Sequence, residues 1–202
     1  MNNAGSFYVK SSRYEIRIAG SGGQGIISAG IMLAEAAILG GKYVAQSQIY
    51  GPETRGGNSI SELILSDTEI DYPQALELDL LVALTQEACD RNLPDMKADG
   101  LVIVDSDVVR RVLWEKLIPI PLLQIAQKAG EERAVNVAAL GAIVPFCPAI
   151  SRQSLVKAIT KRLPSTKLTA NLLAFDEAFK VAQGFKSHLE SAPEGGKEEF
   201  EI

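Results

Sequence analysis

The chain has 202 residues, 47% of them hydrophobic and 22% charged, with a formal net charge of −5. Acidic residues outnumber basic ones 25 to 20, which argues against a nucleic-acid partner and the basic face such a protein sets against phosphates. The length suits one α/β domain with small additions, and no apolar run reaches the roughly 20 residues that cross a bilayer.

In chain order, residues 1–12 are polar and lack the apolar core of a signal peptide, so they read as a flexible leader on a cytoplasmic protein. Alternating Ile16 and Ile18 predict a strand over Tyr14 to Ala19. After a glycine run, Ile27, Ile31, Ala34 and Ile38 recur at helical spacing and predict a helix from Ile26 to Leu39, stopped at Gly40-Gly41. Lys42 to Gln46 reads as a second short strand, giving a βαβ opening. Ser59 to Leu65 alternates, as a strand with one wet face does, so the sheet need not be purely parallel. Leu78 to Leu84 and Leu101 to Val104 read as buried strands, with a helix from Glu87 to Met96 between them. Leu117 to Ile120, carrying Pro119, belongs at a sheet edge. Val135 to Ile143 is an apolar helix expected to stop near Pro145 and to face partner chains. Ser151 is a cap for a helix to Lys161, and Thr169 to Gln183 is the last helix. The domain is expected over residues 13–183, with 184–202 as a tail. The fold expected is a Rossmann-like three-layer α/β sandwich with a mostly parallel sheet that admits a mixed arrangement.

The sharpest local feature is Gly20-Ser21-Gly22-Gly23-Gln24-Gly25. It leaves a strand and opens a helix, the context in which GxGxxG holds phosphate. Glycines let the chain turn tightly and let a ligand approach the backbone. The helix start adds unpaired N–H groups and the positive end of its dipole. A nicotinamide dinucleotide is the usual occupant, but it calls for an acid at the end of the second strand. The residue expected there is Gln46, which is neutral. The same glycines also serve close packing of helix on strand, and that reading stands beside the first.

A second loop, Gln48 to Ser59, contains Tyr50-Gly51-Pro52-Glu53-Thr54-Arg55-Gly56-Gly57. It is expected beside the glycine loop, where open α/β sheets bind ligands. Arg55 brings a donor fork suited to phosphate or carboxylate, Tyr50 a flat ring and a hydroxyl, and Gly56 and Gly57 a close approach. Glu53 is placed to orient Arg55 or Tyr50.

A complete catalytic set is missing, and the candidate site has no catalytic or metal residue of its own. His188 is the single histidine, expected after the last helix. Cys89 and Cys147 are too far apart for a CxxC pair or a cluster motif. Asp105 is placed to cap a following helix, Asp67, Glu69 and Asp71 to line a solvated turn, and Trp114 to sit in core or interface. Such a chain fits a binding subunit whose chemistry resides on partners.

On the glycine loop and the Tyr50–Gly57 loop, the sequence resembles the gamma subunit of the thiamine-diphosphate-dependent 2-oxoacid:ferredoxin oxidoreductases. Ser61-Glu62-Leu63-Ile64-Leu65-Ser66, Ile103-Val104-Asp105 and Asn136-Val137-Ala138-Ala139-Leu140-Gly141 extend the likeness over the pyruvate/ketoisovalerate oxidoreductase gamma-type domain. The wording Gln48-Ile49-Tyr50-Gly51 is closest to the 2-oxoglutarate branch, with pyruvate and branched-chain enzymes as alternatives. A free-standing NAD(P)-binding dehydrogenase is the other reading of the glycines. The resemblance implies a coenzyme A contact for Gly22, Gly23, Gln24, Gly25, Arg55, Gly56 and Gly57. It also implies thiamine diphosphate, Mg2+ and [4Fe-4S] clusters on partner subunits of the alpha, beta and delta kinds, with ferredoxin as the electron partner and an isolated chain that is inactive.

Overall fold

The computed structural model describes residues 13–50 and 57–191, so the expected leader and most of the expected tail lie outside it. Six strands form one sheet: β1 (Arg13–Ser21), β2 (Tyr43–Tyr50), β3 (Asn58–Ser66), β4 (Leu78–Ala83), β5 (Met96–Asp105) and β6 (Leu117–Ile120), in the order β2-β3-β1-β4-β5-β6. The helices are α1 (Ile26–Leu39), α2 (Gln86–Asn92), α3 (Leu122–Lys128), α4 (Val135–Ile143), α5 (Arg152–Arg162) and α6 (Ser165–Ser191).

The sheet is mixed. β1, β4, β5 and β6 run parallel, whereas β3 is antiparallel to both β1 and β2. The expected βαβ opening exists, but its two strands are not neighbours, because β3 lies between them. β2 is also longer than expected. It pairs with β3 from Tyr43 to Tyr50, and cross-strand bonding carries the polar run Gln46-Ser47-Gln48, which alternation alone does not mark as strand. Gln46 therefore sits within the strand, where its Nε2 donates to Ser61 Oγ at 3.1 Å. β6 is an edge strand and accommodates Pro119 opposite Val104, as its proline requires.

Strand alternation sorts the side chains into two cores. Ile16, Ile18, Leu80, Val82 and Ile103 face the layer built from α1, α3, α4, α5 and α6. Ala19, Leu81, Ala83, Val102 and Val104 face a smaller cluster with Ala88 and Cys89 of α2, Val109 and the edge of Trp114. β4 is apolar on both faces, which explains its nearly continuous hydrophobic run. Trp114 donates its Nε1–H to Gly100 O at 2.8 Å, so it is a packing residue. On the small face Arg17 is buried and donates to Glu62 (Nε to Oε1, 2.9 Å) and Asn92 (2.9 Å), and pairs with Asp95. Ser47 completes Glu62 at 3.0 Å. This network ties β1, β2, β3 and α2 together through satisfied charges.

Three expectations need correction. All nine residues of α4 are buried in the chain's own core, so this helix does not face partners. Its apolar surface on every side is what a central helix looks like, with α1, α3 and α6 around it. The helix expected from Glu87 to Met96 ends at Asn92; Leu93–Asp95 form a 3-10 turn and Met96 opens β5. The last helix begins at Ser165 and runs to Ser191, so the first residues of the expected tail are helical and His188 lies within α6. Finally, α3 was not marked by the sequence pattern at all. Among the described residues no helix is long and apolar enough to cross a membrane.

Candidate functional site

The site lies at the end of the sheet where β1 and β4 finish and β3 begins. The chain leaves β1 toward β2 on one side and returns to β4 on the other, the switch point at which open sheets bind ligands. β1 runs through Gly20 and Ser21, which pair with Ser59 and Asn58. Gly22 then donates its N–H to Gly57 O at 2.8 Å. The glycine loop and the returning end of the second loop are thus joined directly, as expected.

The structure divides the expected glycines by role. Gly20 is buried, and a Cβ there would press on the Gln24 amide and lie 3.0 Å from Ile26 Cδ1 and 3.2 Å from Leu84 Cβ. Gly25 is the N-cap of α1 at φ 75°, and a Cβ there would meet the Asn136 amide, with its Cγ at 3.0 Å. These two positions satisfy the packing reading. Gly22 and Gly23 are exposed; Gly23 has φ 94° with nothing within 4 Å of a Cβ position. Those two leave the backbone open to an incoming group.

Gln24 turns inward instead of toward a ligand. Its Oε1 accepts from Ser21 N at 2.7 Å, and its Nε2 donates to Leu84 O at 3.4 Å. The Gln24 N–H in turn donates to Ser21 O at 3.2 Å. Gln24 therefore fixes the loop's shape, and the Gly22 N–H, spent on Gly57, serves the join between loops. The groups left for an anion are at the start of α1. Its first intrahelical bond runs from Ala29 N to Gly25 O at 2.9 Å, no side chain caps it, and its first turn has no acid. The N–H groups of Ile26, Ile27 and Ser28 precede that bond and point where the helix dipole is positive.

In the second loop, Gly57 is placed by its bond to Gly22, and Tyr50 by its backbone register opposite Ser59. Arg55 and Gly56 lie outside the described residues. One contributor was quoted in the sequence only as part of the Asn136–Gly141 motif. Asn136 reaches across from α4 and donates its Nδ2–H to Gly25 O at 3.0 Å. Its separation from Gly25 in sequence hides the contact, and only an asparagine opening an otherwise apolar helix hinted at it.

The residues expected to be structural are so. Asp105, at the end of β5, accepts from Leu122 N (3.1 Å), Leu123 N (3.2 Å) and Asp107 N (3.2 Å). It caps α3, and Asp107 adds a bond from Gln124 N at 2.7 Å. Burial pushes the Asp105 carboxyl up to about 6 against these hydrogen bonds. Cys89 and Cys147 are buried on opposite sides of the sheet, and burial pushes their thiols up to about 11 and about 12. The chain has these two cysteines, in separate cores, so they cannot together supply the thiolates of a cluster. Among the described residues no three His, Cys, Asp or Glu side chains are grouped to hold a metal.

The sheet order also bears on the dehydrogenase reading. A dinucleotide site takes its ribose-holding acid from the end of a second strand lying beside β1. Here β3 fills that position, and Gln46 is bonded to it away from the strand end.

Comparison with known proteins agrees with this architecture. Residues 15–181 match the family described as pyruvate ferredoxin/flavodoxin oxidoreductase. The chain is 41% identical over 177 residues to the 2-oxoglutarate synthase subunit KorC of Methanocaldococcus jannaschii, covering 85% of this chain and 95% of that one. It superposes with a TM-score of 0.78 and 41% identity on the keto/oxoacid ferredoxin oxidoreductase gamma subunit from Geobacter sulfurreducens, covering 86% and 98% of the two chains. The 2-oxoglutarate:ferredoxin oxidoreductase from Magnetococcus marinus, solved with 2-oxoglutarate, coenzyme A and succinyl-CoA bound, matches at TM-score 0.79 and 27% identity. That likeness covers 87% of this chain and 32% of the longer one.

Proposed function

The chain belongs to the pyruvate ferredoxin/flavodoxin oxidoreductase family, and on that premise we propose that it is the gamma subunit of a 2-oxoglutarate:ferredoxin oxidoreductase complex. The complex converts 2-oxoglutarate, coenzyme A and oxidised ferredoxin to succinyl-CoA, CO2 and reduced ferredoxin. This subunit contributes to coenzyme A binding and to assembly. Thiamine diphosphate, Mg2+ and [4Fe-4S] clusters belong to partner subunits of the alpha, beta and delta kinds, and the complex works in the cytoplasm. The cysteines of this chain do not suit a cluster, for the reason given above. Bound coenzyme A supplies the thiol that takes the acyl group.

One observation carries the reading. The start of α1 has no cap of its own and is flanked by the exposed Gly22 and Gly23, and the Gly22–Gly57 bond joins the returning end of the second loop to the glycine loop. Backbone N–H groups at a helix start suit the phosphates of coenzyme A, and the Arg55 guanidinium has the donor fork that such a group calls for. In this reading Gly23, Gly25 and the first turn of α1 meet a phosphate. Gly20 and Gln24 shape the loop, and Tyr50, Arg55, Gly56 and Gly57 are the contacts assigned to the second loop.

The test is the reconstituted complex assayed for 2-oxoglutarate- and coenzyme A-dependent ferredoxin reduction, with pyruvate and branched-chain 2-oxoacids as alternative substrates. Arg55→Ala is expected to raise the KM for coenzyme A roughly tenfold, the worth of one charge-assisted hydrogen bond, with kcat little changed. An unchanged KM rejects the Arg55 contact, and activity without coenzyme A rejects the role.

A further inference from the structure

The two edges of the sheet are treated differently. β6 is four residues long and carries Pro119, two of the devices that stop an edge from pairing with another chain. β2, at the opposite edge, has neither. It runs eight residues from Tyr43 to Tyr50 without a charge, a proline or a bulge. Among the described residues no strand lies on its outer side. Tyr43 is 50% exposed and Ile49 47%. Both stand on one face of the strand, three positions to either side of Gln46.

A second apolar surface flanks this edge on the other face. Gly30 of α1 rests on β2 and β3; a Cβ there would lie 2.9 Å from Gln46 Nε2 and 2.7 Å from Ser61 Cβ. To one side of Gly30, Leu33, Ala36 and Ala37 enter the large core. Helical spacing puts Ile27, Ile31 and Ile38 on its other side, and none of the three belongs to either core. Ile38 is 60% exposed. The periodic isoleucines that mark α1 in the sequence thus form a stripe turned from the core, beside the open strand.

We propose that β2 is the seam of a two-fold contact with a second copy of this chain, antiparallel and centred on Gln46. The strand fits itself in this register. A two-fold axis perpendicular to the sheet keeps every residue on its own face, so each pairs with one an even number of positions away. Centred on Gln46, Tyr43 lies opposite Ile49 of the second copy, an aromatic against a β-branched side chain, which is a favoured cross-strand pair. Ala45 lies opposite Ser47, small against small. A strand laid against itself is also best uncharged, since like charges facing each other repel. The second copy brings its isoleucine stripe to the same face as the first, so one isologous contact covers both. The contact does not depend on the coenzyme A reading.

The experiment uses the reconstituted complex, treated with oxidised glutathione and run on a denaturing gel without reductant. Tyr43→Cys combined with Ile49→Cys is expected to yield a covalent pair of this chain, because facing Cα atoms stand roughly 4.5–5.5 Å apart. Within one chain the two positions lie about 20 Å apart along the strand, too far for a disulfide. Each single variant is expected to yield no pair, since its cysteine faces the native Ile49 or Tyr43. Both side chains are about half exposed, so the melting temperature is expected to hold. Absence of the covalent pair, or an equal yield from a single variant, overturns the proposal. So does a cross-link to another subunit, or a strand found covered by this chain's own residues. Two measurements on the wild-type complex decide even if the variant fails to fold. Its native mass is expected to contain two copies of this chain, and its β2 amides to be protected from hydrogen exchange. One copy per particle, or rapid exchange along β2, overturns the proposal.

Discussion

Two helices of this molecule begin at the same end of the sheet and treat their first turns in opposite ways. α3 receives two carboxylates of its own: Asp105 takes the N–H groups of Leu122 and Leu123, and Asp107 that of Gln124. α1 receives none. It opens on a left-handed glycine, with no side-chain cap and no acid in its first turn. α2 and α5 follow the α3 habit, capped by Thr85 and Ser151. α4 also begins without a side-chain cap or a first-turn acid, but it is enclosed by the core; α1 begins bare beside two exposed glycines, and that is the start we propose for an anion from outside.

The largest effect that would sharpen the contrast is Gly25→Ala. It forces an alanine to φ 75° and drives its Cβ into Asn136, and we expect a loss of about 2–4 kcal/mol of stability from strain and overpacking. The KM for coenzyme A should rise with it, more than about tenfold, because the loop's geometry is lost. Melting curves and coenzyme A titration of the complex check both; a stable variant with normal KM would make this glycine ordinary.

Asp105→Ala comes next. It strips three N–H groups of their acceptor and should cost about 2 kcal/mol, with no change in coenzyme A KM. A raised KM would blur the line between the two helix starts. The same residue makes a pH prediction. Its carboxyl is raised in the folded chain from 3.8 to about 6, so its contribution to stability is complete below about pH 3.8 and is lost as pH rises through 6. Between pH 4 and 6.5 the melting temperature of the wild type should fall more than that of Asp105→Ala.

The smallest effect is the most pointed. Ser28 is exposed in the first turn of α1, and Ser28→Asp would give that helix the acid it lacks. Stability should rise by about 0.3–1 kcal/mol while coenzyme A binding weakens. A gain in stability with unchanged KM would show that the bare helix start awaits no anion.

The α/β class, α1, α4, β6 and the glycine loop were all legible, because each follows from local spacing or from a residue with one conformational use. The Ser151 cap was legible for the same reason: its Oγ accepts from Ser154 N at 3.0 Å. What the pattern hid depends on pairing at a distance. Nothing local says that β3 inserts between β1 and β2, or that Gln46-Ser47-Gln48 is held extended by β3. α3 is short and takes its cap from Asp105, seventeen residues earlier, so it carries no start signal of its own. At the site the glycines were visible but their division of labour was not. Gln24 looks like a ligand contact until its amide is found bonded to Ser21 and Leu84, and Asn136 looks like part of an apolar helix until the fold delivers it to Gly25.

The insertion of β3 has a consequence for how the polypeptide is born. β1 is made first, yet its hydrogen-bonding neighbours arrive only with residues 58–66 and 78–83. A nascent chain halted at Gly57 would already contain β1, α1 and β2 and still possess no sheet, since β1 and β2 share no ladder. On the ribosome, the apolar strand bearing Ile16 and Ile18 therefore waits with two bare edges, a template for aggregation, until the antiparallel strand emerges and zips both earlier strands at once.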